Sequence, residues 1–211
     1  MNCKRVFLVD DDASVLNGLS RLLRQAGFDV QSYQSPSEFL DHHDAKSPGC
    51  AILDVLLGDR SGLEIQYALA ARGDKRPVIF ITGGGDVATG IRAMKAGAVD
   101  FLTKPVMEKD LLEAVDRALE RDRLTREEGA TIAAVRARVA SLTPREHEVL
   151  VCVIAGRMNK QIAADLRIAE KTVKVHRARV MSKMAVRSVA ELVRTMQRTP
   201  PAGKLERYST K

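Results

Sequence analysis

The chain has 211 residues, 45% of them hydrophobic and 4% aromatic, with no tryptophan and a formal charge of +7. That is enough for two ordinary domains with real cores. Cys3, Cys50 and Cys152 are odd in number, far apart and without a partner at metal-ligand spacing, which excludes a disulfide-stapled or zinc-held fold and reads as reduced thiols of a cytoplasmic protein. His42, His43, His147 and His176 form no metal pattern either. The apolar run before Asp10 is too short for a signal-peptide core, and nothing approaches a membrane span.

The charge is unevenly spread. Residues 1–122 hold 15 Lys+Arg against 19 Asp+Glu, and residues 123–211 hold 19 against 8. An acidic front and a basic back imply two jobs, with a polyanion as the partner of the second. A merely solvated basic surface is the alternative.

In chain order, Arg5–Val9 is a continuous apolar run of the kind covered on both faces of a sheet, followed directly by Asp10, Asp11 and Asp12. Val15, Leu19, Leu22 and Ala26 recur at helical spacing, with Asp12 placed to cap that helix and Gly27 to end it. Asp29–Tyr33 reads as a second strand. Ser35-Pro36-Ser37-Glu38 is a capping box with proline at the first helical position, opening a second helix. Residues 51–53 form a third strand that ends at Asp54 and breaks into a polar loop bounded by Gly62. Residues 63–71 read as a helix and 78–81 as a strand ending at Thr82. Gly83, Gly84, Gly85 and Asp86 then lead into a helix running to Ala96. Residues 99–102 are a fifth strand, Lys104-Pro105 a turn, and 110–121 a fifth helix. Five alternations of strand and helix predict an α/β doubly wound parallel sheet with right-handed crossovers.

Asp10 and Asp11, Asp54, Thr82 and Lys104 all stand at strand ends, so they are expected on one edge of that sheet. A lone Asp54 would more simply cap a turn; its company argues for a site. Adjacent carboxylates plus Asp54 make an oxygen-rich pocket suited to magnesium. The Thr82 hydroxyl and the Lys104 ammonium are the groups to hold phosphoryl oxygens.

Val9-Asp10-Asp11-Asp12, Leu53-Asp54, Ile81-Thr82-Gly83 and Lys104-Pro105 resemble the receiver domain of two-component response regulators, over residues 4 to about 122. The resemblance implies a flavodoxin-like fold in which Asp10, Asp11, Asp54 and the Leu56 carbonyl hold Mg2+. It also implies that Asp54 accepts the phosphoryl group, Thr82 moves to meet it and Lys104 pairs with it. Phe101 takes the aromatic switch position, with a plain core residue as its alternative, and the peptide bond before Pro105 is expected to be cis. There are departures. Leu57-Gly58 stands where Met-Pro is frequent, and Val106 where an aromatic commonly follows. Leu56 and Gly84 flank the site and carry no group able to orient a hydrolytic water, so a long-lived phosphoryl-aspartate is expected.

Residues 123–141 read as a helical linker that can continue the fifth receiver helix, with an interruption near Gly129; a flexible tether is the alternative. Thr143-Pro144-Arg145-Glu146 is another capping box, opening a helix that Gly156 stops. Asn159 can cap a short second helix, a longer basic helix covers Glu170–Met184, and Ser188 can cap a last one. A short helix, a tight turn and a longer basic helix predict an all-α helix-turn-helix domain of four helices. At 100° per residue, Val173, His176, Val180 and Met184 share the core side of the third helix. Lys171, Lys174, Val175 and Ala178 face away, with Arg179 beside them. Lysines with small side chains suit a major groove, while Lys160, Thr172, Arg177 and Arg179 suit phosphates. A solvated amphipathic helix is the alternative.

Leu142 to Leu150, Asn159-Lys160-Gln161-Ile162-Ala163 and Thr172 to Arg177 together resemble the LuxR-type DNA-binding domain, and with the receiver the chain resembles the NarL/FixJ class of regulators. Ala169 stands where that family often caps the recognition helix with serine, which loosens the helix start. The expected division is a receiver over 1–122, the linker, a DNA-binding domain over 142–198 and a disordered tail over 199–211. The expected partners are a sensor histidine kinase, double-stranded promoter DNA and a second copy. The receivers would pair through the face around Ile91 and Lys95, and the DNA-binding domains through residues 188–193. Two rival readings are an aspartyl-phosphate phosphatase, which would carry a second acid where Leu56 stands, and a DNA-binding protein indifferent to phosphorylation.

Overall fold

The computed structural model describes residues 4–58, 60–84 and 87–198. Cys3, Gly85, Asp86 and the tail 199–211 lie outside the described residues. The chain divides between Arg126 and Glu127 into two compact units.

In chain order the strands are β1 (Arg5–Val9), β2 (Asp29–Tyr33), β3 (Cys50–Asp54), the two-residue strands β4 (Leu56–Leu57) and β5 (Arg60–Ser61), β6 (Val78–Thr82) and β7 (Asp100–Thr103). The five longer strands form one parallel sheet in the order β2-β1-β3-β6-β7. Successive residues of a strand face opposite sides, so an unbroken apolar run builds two cores. Phe7, Val9, Leu53 and Phe80 pack with Phe39, Leu63, Ile65 and Leu69 on one side. Val6, Leu8, Ile52, Ile79 and Ile81 pack with Leu16, Leu23, Leu111 and Val115 on the other. Helices α2 (Pro36–His42), α3 (Gly62–Ala71) and α4 (Val87–Lys95) therefore cover the first face, while α1 (Ala13–Gln25) and α5 (Glu108–Ala140) cover the second.

Local chemistry sets the helix ends. The Asp12 carboxylate accepts from the Ser14 amide at 2.7 Å, and Gly27 takes φ +89° just past the end of α1. Ser35 Oγ accepts from the Glu38 amide, but Glu38 reaches back to the Gln34 amide, so that capping box closes one residue early. The loop after Asp54 is a small antiparallel hairpin, turned at Gly58 with φ +58°. The expected break near Gly129 is absent. One glycine costs a helix only ~1 kcal/mol, and the flanking turns carry the ion pairs Arg123–Glu120 and Arg126–Asp122. At the opposite end of the sheet from the site, Asp122 accepts from the Gly49 amide at 2.9 Å, and Arg126 donates to the carbonyls of Lys46 and Ser47.

The second unit contains α6 (Pro144–Ile154), α7 (Asn159–Leu166), α8 (Glu170–Met184) and α9 (Val189–Arg198) around Val149, Leu150, Val153, Ile162, Val173, Val180, Met184 and Leu192. Thr143 and Glu146 form a complete capping box at the start of α6. The buried Glu146 carboxylate also accepts from Lys183 Nζ at 2.6 Å. That bond first, and the Thr143 amide second, hold its pKa down to about 2. A depressed carboxyl contributes stability above its ordinary value of 4.5 and loses it as pH falls through the folded value. Acid unfolding followed by circular dichroism is therefore expected to begin at higher pH in Lys183→Met, and Glu146→Gln is expected to flatten the dependence between those limits. Asn159 is not the cap of α7. Met158 precedes the helix, its amide donates to Gln161 Oε1 at 2.8 Å, and Asn159 is the first helical residue. Ser188 does cap α9, accepting from the Glu191 amide at 3.1 Å.

Candidate functional site

Asp10 follows β1, Asp54 closes β3, Thr82 closes β6 and Lys104 follows β7. Parallel pairing brings these positions to one edge of the sheet, beside the reversal of strand order between β1 and β3. Lys104 Nζ bridges the two buried acids, donating to Asp10 Oδ2 at 2.9 Å and to Asp54 Oδ2 at 2.5 Å. The second oxygen of each acid is held by backbone: Asp10 Oδ1 accepts from the Asp12 amide at 2.9 Å and Asp54 Oδ1 from the Leu56 amide at 3.0 Å. Burial pushes the Asp10 carboxyl above its usual range, against the pull of the Lys104 hydrogen bond. Burial pulls the Lys104 ammonium down, but its bonds to Asp54 and Asp10 outweigh that and leave it raised. The group is a pair of carboxylates with one ammonium fixed between them.

Asp11 is exposed and turned to the Gly58 amide, 3.1 Å from its Oδ2. Among the described residues no three His, Cys, Asp or Glu side chains gather closely enough to hold a metal ion. The sequence reading expected three acids in one pocket, and the structure gives a bridged pair with a neighbour. Those groups still fit magnesium in kind, being hard oxygens with two negative charges against one ammonium.

Thr82 is buried, and its hydroxyl donates to the Gly84 carbonyl at 3.1 Å. Phe101 is half-buried and packs on the core of the first face. The Lys104–Pro105 peptide bond is cis. Leu56 is 68% exposed beside Asp54. On α4, Ile91, Met94 and Lys95 are exposed.

Sequence reasoning passed over Gly62, read only as the end of a loop. A Cβ there would lie 2.2 Å from the Asp54 carbonyl oxygen and 3.1 Å from Phe80 Cε1. Gly62 lets α3 start against the backbone of Asp54. Gly62→Ala is expected to lower unfolding free energy by about 1–3 kcal/mol in urea titration and to displace the backbone that carries the Asp54 carboxylate, which the backbone amide shifts of residues 54–56 report by NMR. A variant of unaltered stability and unmoved amide shifts would contradict this packing.

In the second unit, Lys160 of α7 and Lys171, Thr172, Lys174, Val175, Ala178 and Arg179 of α8 are exposed, while Val173, Val180 and Met184 are buried. His176 is half-buried. Val175 is 44% exposed, an apolar side chain held out on the same side as Lys171 and Lys174. Lys174 lies 3.7 Å from Glu170 one turn earlier. Ala169 gives α8 no side-chain cap. Arg177 is half-buried, and its Nη1 donates to Asn159 Oδ1 at 2.9 Å, so this guanidinium ties α8 to the start of α7. No helix among the described residues is long and apolar enough to cross a membrane.

Comparison with known proteins covers both units. Residues 6–116 match the family described as "Response regulator receiver domain", and residues 140–196 match "Bacterial regulatory proteins, luxR family". The chain is 45% identical to the response regulator protein TmoT of Ectopseudomonas mendocina, over 92% of this chain and 88% of that protein. It is 38% identical to the transcriptional regulatory protein FixJ of Bradyrhizobium diazoefficiens, over 92% and 94%. Among solved structures, the response regulator StyR superposes with a TM-score of 0.83 at 46% identity, covering 92% of this chain and 98% of that one.

Proposed function

Because this chain belongs to the NarL/FixJ class of response regulators, transcriptional regulators that join a receiver to a LuxR-type DNA-binding domain, we propose that Asp54 is its phosphoacceptor and that phosphorylation there controls promoter binding. The observation that carries the reading is the Asp54 carboxylate held between the Lys104 ammonium and the Leu56 amide. The chain works in the cytoplasm, where a partner sensor kinase donates the phosphoryl group from a histidine. The N–P bond breaks as an Asp54 oxygen forms the new O–P bond; the electron pair stays on the ring nitrogen, and the histidine, protonated on its other nitrogen, leaves as neutral imidazole. Lys104, bound to both acids beforehand, is placed to follow the charge onto the phosphoryl oxygens. Asp10, Asp11, Asp54 and the Leu56 carbonyl are the groups to hold a magnesium ion, which when bound offsets the repulsion between carboxylate and phosphoryl group.

The Thr82 hydroxyl then turns from Gly84 toward the new oxygens, and Phe101 and α4 repack. Receivers pair through the α4 face around Ile91 and Lys95, in a molecule divided as 1–122, 123–141 and 142–198. Lys171, Lys174, Val175 and Ala178 enter the major groove, with Lys160, Thr172, Arg177 and Arg179 at the phosphates. Two DNA-binding units on one duplex roughly double the phosphate contacts, which raises affinity and steepens its salt dependence. Footprinting genomic DNA with and without a phosphoryl donor tests this: protected sites should appear or extend with the donor, and identical footprints would contradict it.

Hydrolysis of the phosphoryl-aspartate needs an oriented water. Leu56 is aliphatic and Gly84 has no side chain, while a Cβ at Gly84 would meet nothing within 4 Å. The phosphoryl group should therefore be long-lived, and Leu56→Asn or Gly84→Asn is expected to shorten its half-life several-fold by supplying a polar group there. Decay of the phosphorylated chain on Phos-tag gels measures it; a half-life unmoved by either change would contradict the account.

A further inference from the structure

Gly90 is the fourth residue of α4, buried, with a backbone conformation open to any residue. A helix interior is where glycine is least favoured after proline, and nothing in the α4 backbone calls for it. What calls for it is a neighbour. A Cβ at this position would lie 3.2, 3.3 and 3.4 Å from Cε1, Cδ1 and Cζ of Phe101, inside the roughly 3.5–4.0 Å at which carbon atoms normally rest. The Phe101 ring is thus seated on the backbone of α4, half-buried and packed against the core of the first face.

We propose that Gly90 is a positioning residue for the switch: by holding open the seat of the Phe101 ring, it sets how readily the phosphoacceptor site and the α4 face change together. The inference rests on the switch reading above and extends it to a residue that touches none of the acceptor groups. Thr82 identifies which conformation the seat belongs to. Its hydroxyl donates to the Gly84 carbonyl, so the seated ring accompanies a Thr82 whose proton is engaged by backbone and not by the acceptor site. A methyl group at position 90 crowds that conformation and leaves the switched one less affected. The population then shifts toward the switched state, and linkage requires the acceptor site to bind a phosphoryl mimic more tightly by the same factor.

The experiment titrates the full chain with beryllofluoride at saturating magnesium. Binding is followed by fluorine NMR, and the ring by the Phe101 carbon signals, assigned through their loss in Phe101→Leu. In Gly90→Ala the ring signals should be displaced before any ligand is added, and the midpoint should fall by about threefold or more. In the Phe101→Leu background, adding Gly90→Ala should leave the midpoint within about 1.5-fold, because the two residues act through one contact. Alanine is the better helix former, so the variant is expected to fold. A midpoint that falls less, rises or stays put, or an equal fall without the ring, overturns the inference. If the wild-type ring signals ignore beryllofluoride altogether, the switch reading itself fails and takes the inference with it. If they respond and Gly90→Ala titrates like wild type, the inference alone is lost.

Discussion

With Asp54 replaced by alanine, beryllofluoride and magnesium are expected to leave promoter affinity where it was, so that the ratio of affinities with and without the mimic collapses to one. Asp54 holds the acceptor oxygen that Lys104 reaches at 2.5 Å, and its other oxygen is engaged by the Leu56 amide. Removing the carboxylate removes the group proposed to take the new charge. The fold should survive, because Lys104 keeps Asp10 at 2.9 Å and β3 stays buried on both faces. Asp54→Asn keeps the side chain's shape and should give the same flat ratio, which separates loss of the acceptor from loss of packing. In the unaltered chain the ratio should exceed one and grow as salt is lowered, since log affinity falls by about 0.9 per phosphate contact for each unit of log salt. Promoter binding and transcription that persist unchanged in both variants would favour a DNA-binding protein indifferent to phosphorylation.

The second large effect is expected on α8. Lys171→Ala and Lys174→Ala should each cost about 1–3 kcal/mol of specific binding, the worth of a lysine on guanine acceptors in the major groove, and the double variant should lose recognition of the operator. Both lysines are exposed on the side of α8 away from Val173 and Val180, and Val175 shares that side. Lys160 offers the internal contrast. Placed on α7 for a phosphate, its removal should weaken all sequences alike and reduce the salt slope by about one. Fluorescence anisotropy against footprinted and scrambled duplexes at several salt concentrations distinguishes the two behaviours. Equal losses on both duplexes for Lys174→Ala would move that lysine to the phosphates. Lys174 also gives up its pairing with Glu170 on entering the groove, which lowers the net effect below that of a free lysine.

Much of the fold was legible because it depends on short-range rules. Five apolar runs broken by polar strand ends foretold the parallel sheet, and Asp12, Ser35, Thr143 and Ser188 announced their helices. Where reading failed, a longer-range contact decided. Asn159 has the chemistry of a cap, yet its side chain is taken by Arg177 eighteen residues on, and Gln161 serves the Met158 amide instead. Gly129 resembles a break, but the turns before it hold enough ion pairs to carry the helix through. At the site, sequence spacing could place Asp10, Asp54 and Lys104 on one edge because strand ends do that by themselves. It could not show that Asp11 would turn to Gly58 or Thr82 to Gly84, since those choices are made by loop backbones. Gly62 was invisible for a similar reason: its role is to leave out a Cβ that would fall 2.2 Å from the Asp54 carbonyl oxygen, and only the packed structure shows that neighbour. Helix α8 showed its two faces in the sequence, while the tie between Arg177 and α7 did not show.

The most direct test of the central claim is chemical mapping of the phosphoryl group. The full chain is treated with acetyl phosphate, with and without magnesium, weighed intact by mass spectrometry, then reduced with borohydride and digested. The account predicts a magnesium-dependent gain of one phosphoryl mass, with the reduced residue at Asp54 and no gain in Asp54→Ala. A chain that gains no mass, or carries the group at another residue, would contradict it.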